Sequence, residues 1–128
     1  MSKKQRIQRK AKYLNRYAQS FCDKVRMDFS KYKLTKNNPH VICYKEKGIS
    51  PDGIIIDGEY ADGKIYIYDC FGQVPLELKR TIKHEALHFI LNQSGLPDKD
   101  DDDIFLLFAI KYNARPYALF NIPELQKG

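Results

Sequence analysis

Apolar residues in the first thirty positions recur three or four apart, at Ile7, Ala11, Leu14, Ala18, Phe21 and Val25. That step is the period of one helix face, so it predicts a long first helix over roughly residues 4–30 with a single buried stripe. The pattern then breaks. Asn37-Asn38-Pro39 marks a loop from Leu34 to Pro39. His40 to Lys45, Ile54-Ile55-Ile56 and Lys64 to Asp69 read as short strands, with Ser50-Pro51-Asp52-Gly53 as a turn between the first two. Asp62-Gly63 stands between the second and third strands and is a strong signal for an antiparallel hairpin. Ile65 and Ile67 alternate with Tyr66 and Tyr68, so both faces of the third strand are substantially apolar.

Gly72 ends the strand region, and Pro75 suits the first turn of a second helix over about residues 75–93. Gly95 fits its C-terminal cap and Pro97 blocks continuation. The run Asp98-Lys99-Asp100-Asp101-Asp102-Asp103 precedes the apolar stretch from Ile104 to Ile110. Acidic side chains ahead of an apolar run mark a helix N-terminus, where carboxylates meet the positive end of the dipole. This third helix should end near Asn113, before Arg115-Pro116. The tail from Tyr117 to Gly128 holds Leu119, Phe120 and Ile122 and is expected to pack on the body. The fold class is α+β: a long N-terminal helix, a small three-stranded sheet with an antiparallel hairpin, and two further helices.

Length and composition narrow the picture. A chain of 128 residues with 43% hydrophobic and 30% charged side chains has the size and balance of one globular domain, expected over 1–128, and not of a disordered segment. Its apolar runs are too short to span a membrane. The N-terminus lacks the apolar core of a secretory signal. Cys22, Cys43 and Cys70 are odd in number and form no Cys-x-x-Cys pair, which fits reduced thiols in a cytoplasmic protein and gives no metal-ligand spacing. The net charge of +6 is uneven: residues 1–36 hold twelve Lys/Arg and two Asp, the rest ten Lys/Arg and fourteen Asp/Glu. Such a basic segment can bind nucleic acid. The apolar stripe through the same residues favours the solvated face of an amphipathic helix.

The chemistry concentrates in the second helix, at His84-Glu85-Ala86-Leu87-His88. Helix positions four apart share a face, so both imidazoles point the same way and can hold one metal ion. Glu85 follows the first His and stands beside the ion without having to ligate it. Two neutral nitrogens for Zn²⁺ and a carboxylate to take a proton from water are what a zinc peptidase needs. A catalytic zinc usually takes a third protein ligand. His40 is the remaining histidine, on the first strand. The acidic run is better placed, because it opens the helix that follows the motif helix across a short Gly-Pro connection. The spacing of its aspartates does not fit a calcium loop.

Thr81-Ile82-Lys83-His84-Glu85-Ala86-Leu87-His88, the acidic patch and Phe108-Ala109 on an apolar helix together resemble the small metallopeptidases of the ImmA/IrrE type. The resemblance covers about residues 64–112, and the wider likeness is to minimal gluzincin-like and SprT-like cores. It implies a zincin-like fold, zinc, and a protein or peptide substrate, which for some of the family is a repressor. In that family a Glu seven residues before the Ala of a Phe-Ala pair is the third ligand. The same offset from Ala109 falls on Asp102, a shorter side chain, so that Asp101 and Asp103 stay open as alternatives. The family's Asn after an Ala in this helix is absent, and Phe105-Leu106 stands there. Its appended DNA-binding or sensor domains are not expected within these residues.

The resulting expectation is a cytoplasmic zinc metallopeptidase with metal ligands His84, His88 and Asp102, and Glu85 as catalytic base. Tyr112 is a candidate oxyanion donor. The strand Lys64 to Asp69 is expected to be an exposed edge that pairs with substrate. The alternatives are a zinc-binding protein without activity, or a nucleic-acid-associated regulator acting through the basic first helix.

Overall fold

The structure, a computed structural model, describes residues 2–116. The expected packing of the tail lies outside the described residues. Helix α1 (Lys3–Asp28) carries the apolar stripe the sequence predicts, with Leu14, Ala18, Phe21, Cys22 and Val25 buried. A reciprocal cap starts it: Gln5 N–H donates to Ser2 Oγ (3.1 Å), and Ser2 N–H donates to Gln5 Oε1 (2.9 Å).

Five strands follow: β1 (Val41–Cys43), β2 (Gly48–Ile49), β3 (Ile55–Ile56), β4 (Gly58–Ala61) and β5 (Lys64–Ile67). They form two sheets, one of three strands in the order β1-β5-β4 and one pairing β2 with β3. The expected hairpin exists, but its first strand is β4 and not Ile54–Ile56. Asp62 (φ 54°) and Gly63 (φ 74°) make a two-residue loop, which forces Ala61 opposite Lys64. The partner strand must therefore be the residues just before the turn. Ile55 and Ile56 pair instead with Ile49 and Gly48.

A second expectation also changes. Lys64–Ile67 is the central strand, parallel to β1 on one side and antiparallel to β4 on the other. It is hydrogen-bonded along both edges and cannot accept a substrate strand. Its Ile65 and Ile67 are fully buried in the core.

The two outer edges of this sheet are treated differently. At β1, the Asn15 side chain of α1 caps the edge, its amide donating to Val41 O (2.9 Å) while its oxygen accepts from Val41 N–H (2.8 Å). At β4 the edge stays open among the described residues. Tyr68 N–H donates to Asp57 O (2.9 Å), so alternation along the ladder turns the backbone polar groups of Gly58 and Tyr60 away from β5. Gly58 also lets this strand sit close on the next helix, since a Cβ there would fall 2.8 Å from Thr81 Cγ2.

Helix α2 (Pro75–Gln93) runs through the centre, against α1, α3, β4 and β5. Pro75 opens it as expected. Gly95 (φ 73°) closes it, with Leu96 N–H donating back to Leu91 O (2.8 Å). Helix α3 (Asp103–Tyr112) follows, with Asp102 at its N-cap and Asn113 in the left-handed conformation at its end. One apolar cluster joins α1, the central strand, α2 and α3. No helix among the described residues is long and apolar enough to cross a membrane.

Candidate metal centre

His84 and His88 leave α2 on the same face, with their Nε2 atoms 3.3 Å apart. Each ring is fixed from behind. His84 Nδ1 lies 2.8 Å from the carbonyl oxygen of Ala114, and His88 Nδ1 lies 2.5 Å from that of Asp98. A carbonyl only accepts, so both Nδ1 atoms carry hydrogen, and in the neutral rings both Nε2 lone pairs face the cleft. Phe105 of α3 wedges against the pair, stacked on His88 (centroids 4.2 Å apart) and edge-on to His84 (5.0 Å).

The carboxylate that meets the imidazoles belongs to Asp100. Its Oδ1 is 2.8 Å from His88 Nε2 and 3.2 Å from His84 Nε2. Three acceptor atoms thus converge on one point. Such a set needs positive charge at its centre, which a proton on an imidazole supplies and which a metal ion can supply in its place. Glu85 belongs to the same group: His84, Glu85 and His88 each bring a ligand-capable atom within 4.8 Å of the others. The group can hold a metal ion.

The expected ligand Asp102 is placed elsewhere. Its carboxylate accepts from the backbone N–H of Lys99 (2.8 Å), and its backbone starts α3. An aspartate at a helix N-cap is drawn into backbone hydrogen bonds, and this one braces the turn that presents Asp100. Asp101 and Asp103 are exposed. His40 is exposed ahead of β1, where its carbonyl accepts from Ile65 N–H, and it does not border the cleft. Tyr112 faces α1: its hydroxyl donates to Asp28 Oδ2 (2.7 Å) and its ring meets Phe21 edge-on. Cys22, Cys43 and Cys70 are buried free thiols, with burial pushing Cys22 and Cys43 up to about 12.

Asp100, the Asp98 and Ala114 carbonyls and Phe105 were not singled out by sequence reasoning. For Asp100 one signal existed: the acids directly before the apolar run, Asp102 and Asp103, are claimed by the N-cap and first turn of the helix, which moves the search upstream.

Electrostatically the centre is tightly coupled. Burial opposes charge on His84, but its hydrogen bond with Asp100 and the nearby Glu85 carboxylate outweigh it, so its pKa is raised. Hydrogen bonding to His84 and His88 holds the Asp100 carboxyl well below the usual carboxylate range. Burial pushes Glu85 above that range, against the opposing pull of the two imidazoles.

The centre lies in a cleft of about 790 Å³. β3 and β4 border it with Ile55, Ile56, Gly58, Glu59 and Tyr60, and the loop before α3 borders it with Asp98 and Lys99. Arg115 closes one end, bound to Asp57 (2.9 Å) and Glu77 (2.5 Å). No protein-family model matches the chain, and neither does any curated protein or solved structure.

Proposed function

We propose that the protein is a zinc-dependent metallopeptidase with a zincin-like core, of the kind its motif helix resembles. The observation that carries this reading is the pair of converging imidazoles with the buried Glu85 beside them, at the base of a cleft flanked by an open strand edge. The spacing of the donors supports zinc. Two nitrogens each about 2.0–2.1 Å from a tetrahedral ion lie about 3.3–3.4 Å apart, and the two Nε2 atoms are 3.3 Å apart. His84, His88 and Asp100 would hold the ion, which supplies Lewis acidity, acidifying water and polarising a carbonyl oxygen.

The remaining work falls to the chain. Glu85 takes the proton from the attacking water and delivers it to the leaving amine, a task for which a carboxyl with a raised pKa is suited. The open edge of β4 holds the substrate extended through Gly58 and Tyr60, so that alternate side chains face the cleft. The substrate in this reading is a protein or peptide, with a repressor-type regulator as the specific candidate. The three buried free thiols fit a reducing, cytoplasmic setting.

The test is cleavage of a diverse peptide library by the zinc-loaded protein, read by mass spectrometry and compared with Glu85→Gln. The reading expects cuts by the native chain and none by the variant, at equal zinc content. A native, zinc-loaded protein that cuts nothing, or a variant with the same cleavage profile, overturns it.

A further inference from the structure

The face of α2 turned away from the cleft has a different chemistry. Helix periodicity places Lys79 and Lys83 on one ridge, roughly 140° round from His84 and His88. Two hollows run beside that ridge, along the groove between α1 and α2. One, of about 210 Å³, is bordered by Lys10 and Lys79. The other, of about 270 Å³, is bordered by Lys24 and Lys83. Tyr17 borders both, and the Lys79 ammonium lies 5.8 Å from its ring centre.

These four lysines make no salt bridge among the described residues. Nearby carboxylates are engaged elsewhere: Asp28 with the Tyr112 hydroxyl, Glu77 with Arg80 and Arg115, and Asp23 with Arg26. The Lys83 ammonium donates to the carbonyl of Tyr112 (3.2 Å); burial lowers its pKa, and the neighbouring cations Arg80, Lys24 and Lys79 lower it further.

We propose that this groove is a docking surface for the phosphate backbone of duplex nucleic acid. Lys10 and Lys24 are fourteen residues apart on α1, about 21 Å along the axis, or the rise of about six base pairs. Lysines act as point charges for phosphates, and among the described residues no Asn, Gln or Arg borders either hollow to read base edges. Binding is therefore independent of base sequence. Leu14, Leu78 and Ile82 are buried in the groove's floor, and Tyr13 stands half-exposed at its rim; a phenol hydroxyl among lysines suits a phosphate better than a lipid interior. The proposal does not depend on the peptidase reading, because the surface and the metal centre lie on opposite sides of α2.

The experiment is fluorescence anisotropy with two unrelated labelled duplexes of about 20 base pairs across a salt series, with phosphatidylserine vesicles as a parallel arm. Equal affinity for both duplexes is expected, with log K falling against log salt at a slope of about −3 to −4, as four phosphate contacts require. Lys79→Gln with Lys83→Gln should reduce the slope by about two and weaken binding at low salt at least tenfold. Lys24→Gln, an exposed position on α1, should reduce it by about one. Metal content of all variants should equal that of the native chain. Absence of duplex binding at about 50 mM salt overturns the proposal. So does binding to vesicles alone, or a slope that falls in Arg9→Gln/Lys12→Gln/Arg16→Gln but stays unchanged in the lysine variants.

Discussion

The candidate metal centre has a helix-borne half and a loop-borne half, and they are built on different principles. His84 and His88 sit on the central helix, buried or nearly so, each ring tied by Nδ1 to a backbone carbonyl. Asp100 sits in the turn before α3 with its side chain 53% exposed. The helix half is pre-organised before any ion arrives, since its rotamers are set by packing and by the carbonyls behind. The loop half owes its position to a short turn braced by Asp102 and has little packing around it. Affinity should therefore be concentrated in the imidazoles, with Asp100 completing the set.

The largest effect should come from the rigid half. His84→Ala or His88→Ala should lower zinc affinity by more than the 10–100-fold typical of losing an outer-shell partner; chelator competition measures it. Asp100→Asn keeps the shape, removes the charge and should weaken zinc less than either histidine change. If Asp100→Asn costs more than His84→Ala, the division of labour between the halves is wrong. Phe105→Leu removes the ring stacked on His88 while keeping an apolar side chain, so stability should fall by about 1–3 kcal/mol, with a smaller loss of zinc affinity than for Asp100→Asn. Thermal melts of the apo and zinc-loaded forms separate the two effects. Asp102→Ala should have the smallest effect on zinc and act chiefly on the loop, where it removes the hydrogen bond from Lys99 N–H, at a cost of about 0.5–1.5 kcal/mol. A zinc loss in Asp102→Ala larger than in Asp100→Asn would return the ligand to the position expected from sequence.

The same contrast explains what the sequence revealed. The His-x-x-x-His spacing is legible because helix geometry fixes which side chains share a face, and the stripe from Leu14 to Val25 is legible for the same reason. Pro75, Gly95 and Asp62-Gly63 each did the local job their backbone preferences dictate. The acidic run was opaque. A turn has no period, and five aspartates in six positions look alike until the hydrogen bonds of Asp102 are known. Strand pairing failed where local signals competed. Ile54-Ile55-Ile56 has the stronger strand composition, yet Ile54 and Ile55 are 62% exposed, while Gly58-Glu59-Tyr60-Ala61, with little alternation, takes the place beside β5. Long-range closures such as Asn15 on the β1 edge leave no trace in a single sequence, because an Asn on the rim of a helix stripe reads as solvated.

The two imidazoles and Asp100 are expected to share one zinc ion. Anomalous diffraction at the zinc edge, from crystals of the zinc-loaded protein, tests it most directly. A single strong peak is expected between His84 Nε2, His88 Nε2 and an Asp100 oxygen, with Asp102 still bonded to Lys99 N–H and Glu85 nearby. A peak away from the two imidazoles, or no peak at full zinc loading, would contradict it.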